Sequence, residues 1–166
     1  LEAQKIIDAS KKFNKLVFCV MQNRFSPSII WLKDVIVKKI LGKINMFSIN
    51  CFWNRNDNYY LDSEWHGSYE KDRGPLFTQF SHFIDVIYWL FGSVNSINSD
   101  FFYFNKKHFI EFEDSGIIRL NYDDNIVGVL NYSTAVWNKN FESSITIIGE
   151  KGTVKIGGQY MDKISY

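Results

Sequence analysis

Apolar residues recur at helical spacing in three parts of the chain. Residues 2–12 combine strong helix formers with lysines at the C-terminal end, where the helix dipole favours them. Two later segments each begin with a proline at the first helical position and are followed by a glycine, as helices often are. The pattern therefore predicts helices over residues 2–12, 27–41 and 75–91.

Between and after these segments, apolar residues form short runs typical of strands. Residues 15–21 are apolar without alternation, which predicts a strand buried on both faces, as in a parallel sheet. The second half of the chain is rich in such runs, and two polar turns separate some of them. These patterns predict an α+β fold, an open and mostly antiparallel sheet with helices packed on one face. The predicted strands cover residues 44–53, 94–104, 116–122, 126–134, 143–148 and 152–156.

Several of these strands carry apolar residues on both faces, for example Ile117 beside Ile118, and Val129 beside Leu130. A sheet with helices on one side needs only one apolar face. The second face predicts a cover from another domain or another subunit.

Composition and charge narrow the function classes. The 166 residues include 19 Lys and Arg against 18 Asp and Glu, a net charge of +1 that gives no argument for nucleic acid or an anionic membrane surface. The two cysteines lie in apolar runs and are expected to be buried thiols. Without a membrane-spanning stretch or a secretion signal, we expect a cytoplasmic protein. Because the chain opens with Leu1 inside a helical pattern, we expect it to be a piece of a longer protein.

Polar residues form a stripe along the third predicted helix. Thr78, His82, Asp85 and Trp89 fall at steps of four, three and four on an otherwise apolar segment. One interpretation is a functional site. The other is a helix edge at the surface, with His82 and Asp85 forming an ordinary pair.

A long loop at residues 54–73 and its flanks concentrate aromatic side chains among Asn, Asp and Arg. Flat rings with polar neighbours suit a sugar or a nucleotide, which makes Tyr59, Tyr60 and Trp65 candidate substrate contacts. The same rings also suit packing the loop down or covering an interface.

Arg24 follows the predicted strand 15–21, at the strand end where α/β proteins bind ligands. Its guanidinium suits a carboxylate or phosphate, or alternatively an acidic residue of the long loop. The chain has no metal-ligand motif and no glycine-rich dinucleotide fingerprint.

Several motifs, in this order, resemble the glucose–fructose oxidoreductase/inositol dehydrogenase family of NAD(P)-dependent enzymes. Within it, the chain looks most like the UDP-N-acetyl-2-amino-2-deoxyglucuronate dehydrogenases of surface-polysaccharide (lipopolysaccharide) synthesis. The motifs are Gln22 to Pro27, Leu41 to Ile44, Trp65 to Ser68, Gly74 to Asp85 and Ile145 to Val154.

The resemblance implies two parts. Residues 1–22 would be the last helix and strand of a Rossmann domain, and residues 23–166 a substrate-binding and oligomerisation domain. NAD or NADP would be bound mainly by upstream sequence, so the isolated chain should be inactive. A sugar-nucleotide substrate and assembly into a homodimer or homotetramer through the open sheet face are also implied.

The resemblance assigns His82 as the catalytic histidine, with Asp85 three residues on and Thr78 one turn before it facing the sugar. Thr78 stands where many members have Asp or Asn, and Phe80 where a small glycine is usual. A phenyl ring there either narrows the site or packs into the core. These departures leave an alternative open, a non-catalytic sugar- or dinucleotide-binding regulatory or oligomerisation module of the same fold.

Overall fold

A computed structural model of the chain describes residues 2–105, 107–158 and 161–165. None of the helices in these ranges is long and apolar enough to cross a membrane. The helices are α1 (Glu2–Phe13), α2 (Pro27–Val37), α3 (Asp57–Leu61), α4 (Pro75–Thr78) and α5 (Ser81–Phe91). The strands are β1 (Ile44–Phe52), β2 (Ser96–Phe102), β3 (Ser115–Asn121), β4 (Val127–Ser133), β5 (Glu142–Gly149), β6 (Thr153–Gly157) and β7 (Lys163–Ser165).

The strands form one sheet in the order β2-β3-β4-β1-β5-β6-β7. β1 lies at its centre, with Ile49 opposite Leu130 of the parallel β4 and opposite Ile145 of the antiparallel β5. The other neighbouring strands are antiparallel. The predicted α+β fold with an open, mostly antiparallel sheet is confirmed.

The core lies between one face of this sheet and the helices α2 and α5. Alternate residues of β1, Phe47, Ile49 and Cys51, are buried, as the two-residue period of a strand requires. Ile29 and Leu32, three residues apart on α2, are buried in the same cluster. The helices therefore cover one face, and the opposite face carries the intervening residues.

The third predicted helix is interrupted, since α4 ends at Thr78 and α5 begins at Ser81. At the break, Phe80 has φ −95° and ψ 1°, outside helical geometry, and its ring is fully buried. The ring lies 5.1 Å from Trp53 and 5.3 Å from Tyr132, measured between centroids. Phe80 thus packs into the core and does not narrow a site.

The predicted strand over residues 15–21 does not form within this chain. This segment is irregular, and Leu16 and Phe18 are 84% and 76% exposed. A strand needs neighbouring strands to satisfy its backbone, and none of the described strands lies beside it. Cys19 within it is also exposed, so only Cys51 is the buried thiol expected.

The face of the sheet opposite the helices is mixed, where the sequence predicted an apolar one. Ile117 is exposed there, but its surroundings include hydrogen-bonded polar pairs. Asn131 donates to Asn50 across 2.9 Å, and Ser115 donates to Ser133 across 2.8 Å. Of the apolar residues in the predicted pairs, Ile118 and Leu130 point to the helices, whereas Ile117 and Val129 lie on the open face.

Adjacent isoleucines on α2 offer a matched test of this packing. Ile29 is 0% exposed and Ile30 is 50% exposed. We expect Ile29→Ala to lower the free energy of unfolding by about 2–5 kcal/mol, because it leaves a cavity in the core. The same change at Ile30 should cost less than about 1 kcal/mol. Chemical denaturation of both variants measures the difference, and equal losses would contradict the assigned helix face.

Candidate functional site

A cavity of about 430 Å³ opens where α4, α5 and the ends of β1 and β5 meet the 3₁₀ turn Gln22–Phe25. Thr78 and His82, on either side of the break before α5, both line it. Its lining is polar with aromatic walls and comprises Gln22, Asn23, Trp53, Arg55, Thr78, Gln79, His82, Phe83, Asn140, Ser143 and Met161.

Unsatisfied polar atoms gather at this cavity. Nδ1 of His82, Oε1 of Gln79 and Nε of Arg55 are buried and have no hydrogen-bond partner among the described residues. Among the described residues, one other buried side-chain atom has no hydrogen-bond partner, the hydroxyl oxygen of Tyr122. Tyr122 lines a different, apolar cavity. Because buried polar atoms are nearly always paired in native proteins, their clustering at one cavity marks it as a candidate site.

Arg55 supplies the cavity's positive charge. Its guanidinium lies between the rings of Trp53 and Tyr59, 5.0 Å and 4.9 Å from their centroids. Nη1 donates to the carbonyl oxygen of Asn54 across 2.7 Å and to Oδ1 of Asn140 across 3.3 Å. Within the described ranges Arg55 has no salt bridge, so a ligand carboxylate or phosphate suits it.

Arg24 and Asp85 form a bidentate ion pair away from this lining. Nε of Arg24 lies 2.6 Å from Oδ2 of Asp85, and Nη2 lies 2.5 Å from Oδ1. These hydrogen bonds raise the pKa of Arg24 above its ordinary value, so the guanidinium stays charged. Arg24 is therefore paired with an acidic residue of α5 and not with one of the long loop. Asp85 pairs with Arg24 and not with His82, and the assignment of either residue to substrate stays a prediction.

The three loop aromatics lie outside the lining of the cavity. Tyr60 is buried, and Tyr59 stacks on His66 at 4.1 Å between centroids. Trp65 contacts the same imidazole at 4.0 Å. Burial raises the pKa of Tyr59 and Tyr60, so both keep their hydroxyl proton at neutral pH. Only Tyr59 is linked to the cavity, through Arg55.

Sequence reasoning missed several lining residues. Arg55 and Asn23 were visible beside apolar and aromatic runs, but neither was singled out above its neighbours. Asn140 and Ser143 lie more than 80 residues from Arg55 and Trp53, which they contact, and carried no local signal. Gln79 precedes His82 by three residues, a spacing that places both on one helical face, but it was not singled out.

A metal centre finds no support in the described ranges, where no three His, Cys, Asp or Glu side chains are grouped to hold an ion. The sequence also has no glycine-rich phosphate-binding loop. The polar side chains that line the cavity suit an organic ligand with hydroxyl, amide and anionic groups.

Several known proteins are similar to this chain in sequence and in fold. The family model for the GFO/IDH/MocA C-terminal domain matches residues 29–155. An uncharacterized oxidoreductase from Synechocystis is 24% identical over 144 residues, which cover 81% of this chain and 38% of that protein.

Among solved structures, the WlbA dehydrogenase of Chromobacterium violaceum, in complex with NADH and UDP-GlcNAcA, superposes with a TM-score of 0.87 at 34% identity. The match covers 98% of this chain and 47% of that one. The WlbA dehydrogenase of Bordetella pertussis, in complex with the same two molecules, gives 0.87 at 33% identity, over 98% of this chain and 50% of that one. The chain thus spans about half the length of these relatives. It belongs to the GFO/IDH/MocA family of oxidoreductases, whose C-terminal domain it contains.

Proposed function

We propose that this chain is the substrate-binding part of a cytoplasmic NAD(P)-dependent dehydrogenase. It would oxidise a sugar hydroxyl of a UDP-linked amino-uronic acid in surface-polysaccharide (lipopolysaccharide) biosynthesis. The observation that carries the proposal is the cavity at which His82, Gln79 and Arg55 leave buried polar atoms unpaired. The two WlbA dehydrogenases with bound NADH and UDP-GlcNAcA support the substrate class.

In this proposal His82 is the acid/base. An imidazole exchanges a proton readily near neutral pH, and His82 lines the cavity. Arg55 and Asn140 would bind an anionic group of the substrate, while Trp53 offers a flat ring to a sugar. A bound NAD or NADP would supply the hydride acceptor.

The cofactor would be held mainly by a Rossmann domain, to which residues 1–22 contribute. Support comes from the exposed apolar side chains of residues 6–20, including Ile6, Phe13, Leu16, Phe18 and Val20. Apolar surface of that extent on a segment without sheet neighbours is typical of a contact that is made with another domain. From the described residues, Gln22 and Asn23 would face the cofactor side, since they follow this segment and line the cavity. On this proposal the isolated chain has no dehydrogenase activity.

The second candidate is a regulatory or oligomerisation module that binds a sugar or dinucleotide without turnover. Thr78 favours it, because a hydroxyl cannot carry the charge of a carboxylate. Phe80 does not favour this candidate, since its ring is buried in the core and leaves the cavity open.

A single substitution separates these candidates in the full-length protein. We expect His82→Asn to lower turnover of UDP-GlcNAcA with NAD by about 10²–10⁴-fold, the usual contribution of a general base. The ring is half-buried and its Nδ1 is unpaired, so the thermal unfolding midpoint should change little. NADH absorbance reports turnover.

The exposed His108 provides the control, since His108→Asn should leave turnover unchanged. Near-normal turnover of His82→Asn would remove His82 as acid/base. Binding of UDP-GlcNAcA by the unaltered protein without NADH formation would favour the regulatory module.

The open sheet face is the proposed contact between copies in a homodimer or homotetramer. We expect Ile117→Asp in the full-length protein to shift the oligomer towards monomer, because it would bury an unpaired charge in that contact. Ile30→Asp, at a similarly exposed position on the helix layer, should leave the assembly intact. Light scattering at micromolar concentration measures both, and a strictly monomeric unaltered protein would refute the contact.

A further inference from the structure

Asp72 is a carboxylate buried completely behind the cavity wall. It is 0% exposed, and its oxygens accept hydrogen bonds from the Thr78 hydroxyl across 2.7 Å and from the Gly67 amide across 2.9 Å. No Lys, Arg or His of the described ranges forms a salt bridge with it. A buried charge without a counter-ion is costly, so its presence calls for a physical reason.

The surrounding loop holds this carboxylate in one place. The amides of Asp72 and Arg73 donate to the carbonyl of Ser68 across 2.8 Å and 3.4 Å. Gly67 has φ +82°, and a Cβ there would lie 2.3 Å from the carbonyl oxygen of Phe109. Residue 67 must therefore be glycine for its amide to reach Asp72.

The hydroxyl of Thr78 has one proton and two possible acceptors in the protein. Oγ1 lies 2.7 Å from the Asp72 carboxylate and 3.2 Å from the carbonyl oxygen of Gly74. The charged, closer acceptor takes the proton, since charge-assisted hydrogen bonds are shorter and stronger. The oxygen lone pairs of Thr78 are then left for a ligand in the cavity that Thr78 lines.

We propose that Asp72 is a positioning residue that fixes Thr78 as a hydrogen-bond acceptor, so that the cavity selects a substrate hydroxyl or amide N–H at this point. A carboxylate or phosphate is disfavoured there, because it brings no proton and would approach a buried negative charge. Arg55 attracts such anions elsewhere on the same lining. The inference deepens the proposed function and rests on it.

The test measures binding in the full-length protein with NADH present. The probes are UDP-GlcNAcA, analogues in which fluorine replaces one ring hydroxyl at a time, and one in which an ester oxygen replaces the acetamido N–H. Each replacement removes a donor at nearly constant size. We expect the unaltered protein to bind one analogue about tenfold more weakly than UDP-GlcNAcA, as the loss of one hydrogen bond with a charge-assisted partner predicts.

Variants of Asp72 and Thr78 test whether these two residues cause the difference in affinity between UDP-GlcNAcA and the analogue. Thr78→Val should bind UDP-GlcNAcA about tenfold more weakly and treat it and the analogue alike, whereas Thr78→Ser should keep the discrimination. Asp72→Asn should lose it, because its amide can donate to Thr78 and turn the hydroxyl proton towards the cavity. Asp72→Asn combined with Thr78→Val should bind no more weakly than Thr78→Val alone.

A purely structural role for Asp72 gives a different result. Asp72→Asn would then lower the thermal midpoint yet keep the unaltered protein's preference, and the losses of the double variant would add. Either finding overturns the inference while leaving the proposed function intact. If Asp72→Asn does not fold, Thr78→Val and Thr78→Ser decide, and equal discrimination in both overturns it. If the unaltered protein binds none of the probes, the proposed function fails and the inference fails with it.

Discussion

The burial of Phe80 is the interaction on which the arrangement of the site depends. Its ring packs against Trp53, Phe83 and Tyr132, which joins the start of α5 to β4 and to the residue that follows β1. At Phe80 the backbone leaves helical geometry, so α4 ends at Thr78 and α5 begins at Ser81. The buried ring holds this junction against the sheet, and Thr78, Gln79 and His82 around it line one cavity. The side chain that could have blocked the site by its size therefore anchors the segment that carries it.

Local patterns predicted most of the fold. The helices at residues 2–12 and 27–41 and the strand periods are short-range signals, and these elements formed within a few residues of the predicted bounds. Prediction failed where the outcome depends on distant partners. The apolar run 15–21 has the composition of a buried strand, but pairing needs neighbours that composition does not reveal. The burial of Phe80 likewise depends on Trp53 and Tyr132, which lie far along the chain.

Local patterns likewise predicted only the part of the site that short-range spacing determines. The spacing of four between Thr78 and His82 marked them as neighbours, and both line the cavity, although through a break and not along one helix. The same spacing grouped Asp85 with them, whereas Asp85 turns to Arg24. Arg55 and Asn140 meet only because β1 and β5 are adjacent strands, and a single sequence does not show that pairing.

The charges around the cavity favour one orientation of a bound ligand. Arg55 has no ion pair among the described residues and carries positive charge on the lining, while the Asp72 carboxylate lies buried behind Thr78. A ligand with an anionic group and a separate hydroxyl or amide therefore has one favoured orientation, set before any contact with a cofactor. On the proposed function, this orientation would decide which hydroxyl of a sugar bearing phosphate or carboxylate groups reaches His82. Asp72 and Arg55 would then set substrate selectivity without exchanging the proton themselves.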